Sequence, residues 1–176
     1  AILAGSGVHT SGAHATLAHL AERLGAGVAT TIHGKGALPS DSPWLVGVVG
    51  NNGGLPAANA YLRDADAVLL VGTRANATDT NSWTGPARTG TPVAQIDIEP
   101  ARAGRNFPDA VPLAGDADAV LRQLTDLLDA APEAELAERR AAVTRARALP
   151  EPTPYAGSAL LPEDVVRTIN RIVPPD

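Results

Sequence analysis

Short apolar runs alternate with longer amphipathic stretches along this chain, and most apolar runs stop at glycine. The opening "AILAG" predicts a buried strand, and Leu17, Leu20, Ala21 and Leu24 recur at helical spacing within a helix over Ser11–Leu24. "GVATT" predicts a second strand, followed by "IHGKGALPSDSP", a loop punctuated by Gly and Pro. "WLVGVVG" predicts a third strand and "LPAANAYLRDA" a helix with Pro56 near its first turn. "DAVLLVG", continuous, apolar and stopped by Gly72, is the clearest strand. A polar stretch, "TRANATDTNSWTGPARTG", separates it from "PVAQIDI" and "AVPLAG". "DADAVLRQLTDLLDAA" predicts a helix with Asp116 or Asp118 near its N-terminus, where a carboxylate favours the unpaired N–H groups.

Apolar strands alternating with helices imply parallel strands buried on both faces. The expected fold class is therefore α/β: a doubly wound, parallel six-stranded, Rossmann-like sheet over residues 1–131. The text after Ala131 differs in composition. Residues 132–149 predict a charged flanking helix, 150–161 a Pro-rich linker, and 162–176 an amphipathic helix, "PEDVVRTINRIV". On pattern alone this tail either joins a neighbouring domain or folds back onto the sheet.

Composition narrows the choices. A net charge of −5 with no Lys/Arg block argues against a nucleic-acid partner, and no apolar run approaches the roughly 18 residues of a membrane span. The absence of cysteine excludes disulfides, thiolate metal sites and Cys nucleophiles, and speaks against an NAD-dependent deacylase with a Cys₄ zinc module. There is no Met, even at position 1, so the natural gene product is expected to start upstream. Nothing resembles a signal peptide, and the parent is expected to be cytoplasmic.

The familiar chemical motifs fail. Gly5 and Gly7 fit the start of a dinucleotide fingerprint, but Thr10 takes the third glycine's place and no acid follows the second strand. The turn would still aim N–H groups at a helix N-terminus, a seat for phosphate. "HGKG" lacks the leading Gly and the hydroxyl residue of a P-loop. His9, His14 and His19 recur every five residues, about 140° apart on a helix, so they cannot share a metal and read as a solvated face. There is no G-x-S-x-G elbow, and no nucleophile, base and orienter come together. No catalytic and no metal-ligating residue is expected.

What remains is a set of strand ends: "GSG" (5–7), "TTIHGKG" (30–36), "GNNGG" (50–54), "GTRAN" (72–76), "IDIEP" (96–100) and "GDA" (115–117). In open parallel sheets ligands bind at the carboxyl ends of strands, near a topological switch point. Glycine permits close approach, Arg74 can stack on a ring or pair with phosphate, and Asp97 can accept from a ribose hydroxyl or an adenine edge.

These segments, in this order, resemble the central domain of thiamine-diphosphate-dependent enzymes of the acetolactate synthase and pyruvate oxidase type. The likeness runs through "ILAGSGV", "LAERLGAGVATT", "GKGALPSDSP", "GNNGGLPAANAYLRDADAVLLVGTR" and "IDIEPARAGRNFPDAVPLAGDADAVL", covering about residues 1–130. "LLPEDVVRTINRIVPPD" is similar to the entry into the family's following, thiamine diphosphate-binding domain. The resemblance implies a three-domain, homo-oligomeric parent acting on 2-keto acids by decarboxylation or carboligation. Thiamine diphosphate and Mg²⁺ would bind in the N- and C-terminal domains that this chain lacks, leaving the chain alone without activity.

In flavin-containing members FAD lies across this domain. By position, the resemblance implies that Gly5, Ser6 and Gly7 meet the pyrophosphate or ribose; Thr31 and Gly72 are also expected among the cofactor-binding residues. Gly50, Asn51, Asn52, Gly53 and Arg74 would meet the flavin side, and Asp97, Ile98, Gly115 and Asp116 the adenosine end. One departure matters: "GTRANATD" stands where flavin-binding members commonly continue G-x-R-F-D-D-R, so the crevice holds FAD, ADP or nothing. The competing reading is a non-catalytic assembly domain with a vestigial nucleotide crevice.

Overall fold

The computed structural model describes residues 1–147 and 160–173. Its strands are β1 (Ile2–Ala4), β2 (Val28–Thr30), β3 (Leu45–Val48), β4 (Val68–Val71), β5 (Val93–Asp97) and β6 (Val111–Ala114). They form one six-stranded sheet in the order β3-β2-β1-β4-β5-β6, every pairing parallel. The order reverses between β1 and β4, which fixes the topological switch point. Pro112, which has no N–H to give a ladder, sits in the edge strand β6.

The helices are α1 (Gly7–Ser11), α2 (His14–Leu24), α3 (Pro56–Arg63), α4 (Ala117–Leu127), α5 (Glu133–Ala146) and α6 (Pro162–Ile172). Ile2, Leu3, Val28, Leu70 and Ile96 of the strands pack with Leu17, Leu20, Leu62 and Leu121 of the helices in the core. Pro56 opens α3, and Asp116 caps α4 by accepting from the Ala119 N–H at 3.2 Å. Beside it the Asp118 carboxylate accepts from the Thr16 hydroxyl and from Arg122, tying α4 to α2.

The expected helix over Ser11–Leu24 is corrected. Gly12, at φ +67°, ends α1 in a left-handed cap, the Ala13 N–H donates to Val8 O at 3.0 Å, and α2 starts afresh at His14. The break also overturns the angular argument about the histidines. His9 Nδ1 and His14 Nε2 lie 2.9 Å apart, hydrogen-bonded across the bend. Among the described residues no three His, Cys, Asp or Glu side chains come together as metal ligands.

The charged helix α5 does more than flank. Val143 and Ala146 are buried in the core, and Arg147 donates to Ser42 O and Ser40 O, each at 2.8 Å. Residues 148–159 lie outside the described residues, and with them most of the expected linker. On α6 the apolar Val165, Val166, Ile169 and Ile172 are exposed, so this helix does not fold back onto the sheet. No helix is long and apolar enough to cross a membrane.

Candidate functional site

The switch point is built by main-chain contact. Glycine without Cβ allows the β1–α1 turn to touch the turn after β4: a Cβ on Gly7 would lie 2.5 Å from Gly72 Cα, and one on Gly72 would lie 2.6 Å from Gly7 Cα. Gly72 is also at φ +56°, a backbone region that side chains disfavour. The Gly7 N–H donates to Gly72 O at 2.9 Å, the Val8 N–H to Gly5 O at 3.2 Å and the His9 N–H to Ser6 O at 3.1 Å. The expectation that this turn offers its N–H groups to a phosphate is therefore corrected at residues 7–9: their donors are spent inside the protein.

Above this floor the strand ends open on a crevice of about 500 Å³. Of the residues singled out from sequence, Ser6, Gly7, Thr31, Gly72, Arg74, Asp97, Ile98, Gly115 and Asp116 line it. Gly5 lies beneath, packed against Gly72 and Thr73. Gly50, Asn51, Asn52 and Gly53 are not brought to the crevice. The Gly50 N–H donates to Asn59 Oδ1 at 2.8 Å, the Asn51 N–H to Thr78 O at 2.9 Å, and the Asn51 side chain to Ser82 Oγ at 2.9 Å. That segment is engaged by α3 and by the 78–82 loop.

Sequence reasoning missed Thr10, Ser11, His33, Thr73, Asp79 and Arg102, which also line the crevice. Thr73 and Asp79 lie in the "GTRANATD" departure. The Thr73 hydroxyl donates to Asp79 at 3.0 Å and accepts from the Ala75 N–H at 3.0 Å, while the Asp79 N–H donates to Asn76 Oδ1 at 2.9 Å. The only signal for Arg102 was its position in the loop that follows Asp97.

The polar groups suit a ligand with both donors and negative charge. Asp97 is 8% exposed; one carboxylate oxygen accepts from the Glu99 N–H at 2.9 Å, and the other has no partner among the described residues. Asp116 has one oxygen in its cap bond. Thr31 is buried, its oxygen accepting from the Gly34 N–H at 3.1 Å. Arg74 and Arg102 bring positive charge to the same wall. Beneath them Gln95, 1% exposed, donates to Thr73 O at 3.0 Å and accepts from the Gly104 N–H at 3.1 Å, fixing the loops after β4 and β5 against each other.

A six-strand order that reverses at a glycine-built switch point is shared by many proteins, so membership rests on comparison. Residues 1–124 match the family described as "Thiamine pyrophosphate enzyme, central domain". The chain belongs to this family. Sequences similar to it include a probable acetolactate synthase large subunit of Methanocaldococcus jannaschii, 41% identical over 126 residues, 70% of this chain and 20% of that protein. An acetolactate synthase of Mycobacterium avium is 32% identical over 180 aligned residues, 98% of this chain and 28% of that protein. A sulfoacetaldehyde acetyltransferase of Roseovarius nubinhibens is 35% identical over 153 residues, 83% of this chain and 24% of that protein. The chain thus spans between a fifth and somewhat over a quarter of these relatives' length.

Proposed function

We propose that this chain serves a thiamine-diphosphate-dependent enzyme that decarboxylates or ligates 2-keto acids, and that its crevice holds a nucleotide of the ADP type. The parent's activity is supported by the acetolactate synthases among the relatives. Thiamine diphosphate and Mg²⁺ would be held by the parent's N- and C-terminal domains, and the parent would work as a homo-oligomer. The chain's own contribution is to bind and orient a ligand.

One observation carries the nucleotide reading: the buried Asp97, one carboxylate oxygen of which has no partner among the described residues, lines a crevice that also receives Arg74 and Arg102. A carboxylate accepts from ribose hydroxyls or an adenine amino group, and guanidinium forks match phosphate. The volume lies within the range of small-molecule sites. ADP is favoured over FAD because residues 50–53, implied for the flavin side, are engaged by Asn59, Thr78 and Ser82.

Titration calorimetry of the 176-residue chain tests this. ADP is expected to bind, FAD to bind no tighter, and Asp97→Asn to weaken ADP about tenfold, the worth of one hydrogen bond to a charged group. A chain that binds neither ligand would support the second reading, a vestigial crevice in an assembly domain. The spent N–H groups of Gly7, Val8 and His9 favour that reading.

A further inference from the structure

Asparagine stands at seven positions of the chain, and only Asn52 is followed by glycine. The Asn52–Gly53 pair forms the tip of the loop between β3 and α3. The base of that loop is fixed. The Gly50 N–H donates to Asn59 Oδ1, the Leu55 N–H donates to Val48 O at 2.9 Å, and a Cβ on Gly54 would overlap Gly50 O. Asn51 is held as well: its N–H donates to Thr78 O and its side chain to Ser82 Oγ.

The tip is free. Asn52 and Gly53 are both exposed, and among the described residues neither the Asn52 amide nor the Gly53 N–H has a hydrogen-bond partner. A Cβ on Gly53 would meet nothing within 4 Å, so open space surrounds the backbone there. Glycine also rotates more freely than any other residue. The Asn52 side chain and the Gly53 nitrogen can therefore approach each other without displacing a neighbour or breaking a bond of the fold.

The other asparagines lack this freedom. The side chains of Asn59, Asn76, Asn81 and Asn106 are engaged by Gly50, Asp79, Thr84 and the Arg74 carbonyl respectively, and each is followed by a residue with a Cβ. Asn170 lies inside α6, where the following N–H is paired along the helix.

We propose that Asn52 is a site of intramolecular deamidation, in which the Gly53 nitrogen attacks the Asn52 side-chain carbonyl. A bond forms between Gly53 N and Asn52 Cγ, the Cγ–Nδ2 bond breaks, and the proton lost by Gly53 departs with Nδ2 as ammonia. The five-membered imide that results takes up one water. Opening at Cγ gives aspartate at position 52; opening at the main-chain carbonyl gives isoaspartate, with the chain routed through Cγ. Only water is consumed, and nothing is oxidised or reduced. Either product puts a carboxylate on residues 50–55, which carry no charge. The isoaspartyl form also adds a main-chain atom between the fixed points Asn51 and Gly54.

The test is peptide mapping of the 176-residue chain held at about 37 °C, at about pH 6 and about pH 9. Trypsin cuts after Lys35 and Arg63 and releases residues 36–63. Fragmentation within that peptide assigns a mass gain of about 1 Da to Asn51, Asn52 or Asn59. The gain is expected at Asn52, with isoaspartate present, and faster at the higher pH because the attacking nitrogen must shed its proton. The folded chain is expected to react within about threefold of its rate in guanidinium chloride, as a tip free of the fold requires. Asn51 and Asn59 are expected to stay unmodified while the chain is folded. Gly53→Ala, whose Cβ flanks the attacking nitrogen and meets no other atom, is expected to slow the reaction about tenfold or more. Aspartate without isoaspartate would overturn the imide route. An Asn52 that reacts more than about tenfold slower folded than unfolded would overturn the free tip, and the proposal with it.

Discussion

Gly7 and Gly72 show how much a single hydrogen atom can decide. Each stands where a methyl group would overlap the other's backbone, and backbone cannot rotate aside as a side chain can. Gly7→Ala is therefore expected to cost about 3 kcal/mol, read as a lower midpoint in urea unfolding with an unchanged slope. Gly53→Ala is the control, since a Cβ there meets nothing within 4 Å; its φ of +77° limits the cost to local strain of about 1–2 kcal/mol. Equal losses for the two would refute the contact argument. The pairing of Gly7 with Gly72 could not be seen in sequence, because it joins two turns 65 positions apart whose glycines also fit an ordinary tight turn.

Elements were legible where apolar runs carried them. All six strands and the helices α2, α3 and α4 fall within the runs that predicted them, trimmed by a few residues at their ends. The helix break at Gly12 was not legible, since a lone glycine inside a periodic stretch is as consistent with a tolerated interior residue as with a cap. The core role of α5 was hidden for a different reason: only Val143 and Ala146 are buried among many charged residues, too few to set a period. Of the crevice, the strand ends gave Arg74 and Asp97, but Asp79 and Arg102 lie in loops, where nothing in the local pattern says which way a side chain faces.

The contact between α2 and α4 makes its own expectation. The Thr16 hydroxyl, and after it Arg122, holds the Asp118 carboxyl below its usual range. A carboxyl depressed in the folded state adds stability that is present above the unfolded-state value and lost as pH falls through the folded one. The chain should therefore lose stability below about pH 4, and Asp118→Asn should flatten that decline while lowering stability near neutrality. Thermal unfolding of both proteins from pH 7 to pH 3 checks it. Parallel curves would rule Asp118 out as a contributor.

At the scale of the whole molecule the described residues divide unequally. Residues 1–147 hold every residue of the core, whereas α6 contributes none and leaves its apolar positions exposed. Truncation after Arg147 is accordingly expected to move the melting temperature by no more than about 2 °C, by differential scanning calorimetry. A fall beyond about 5 °C would show that the tail supports the core. The sheet order itself follows from alternating strands and helices, and the crevice from the order's reversal. What the sequence did not convey is which loop side chains reach the crevice, because this depends on how the loops after β4 and β5 are pinned by Gln95 and by Asn106, whose amide donates to Arg74 O.

The abutment of Gly7 on Gly72 bears on how any guest could enter. Two strands whose tips touch through main chain, with the Gly7 amide bonded across the seam, cannot splay without breaking backbone pairing on both sides. A guest then enters from the open rim of the crevice, between the loops after β4 and β5, and the sheet beneath acts as an unyielding anvil.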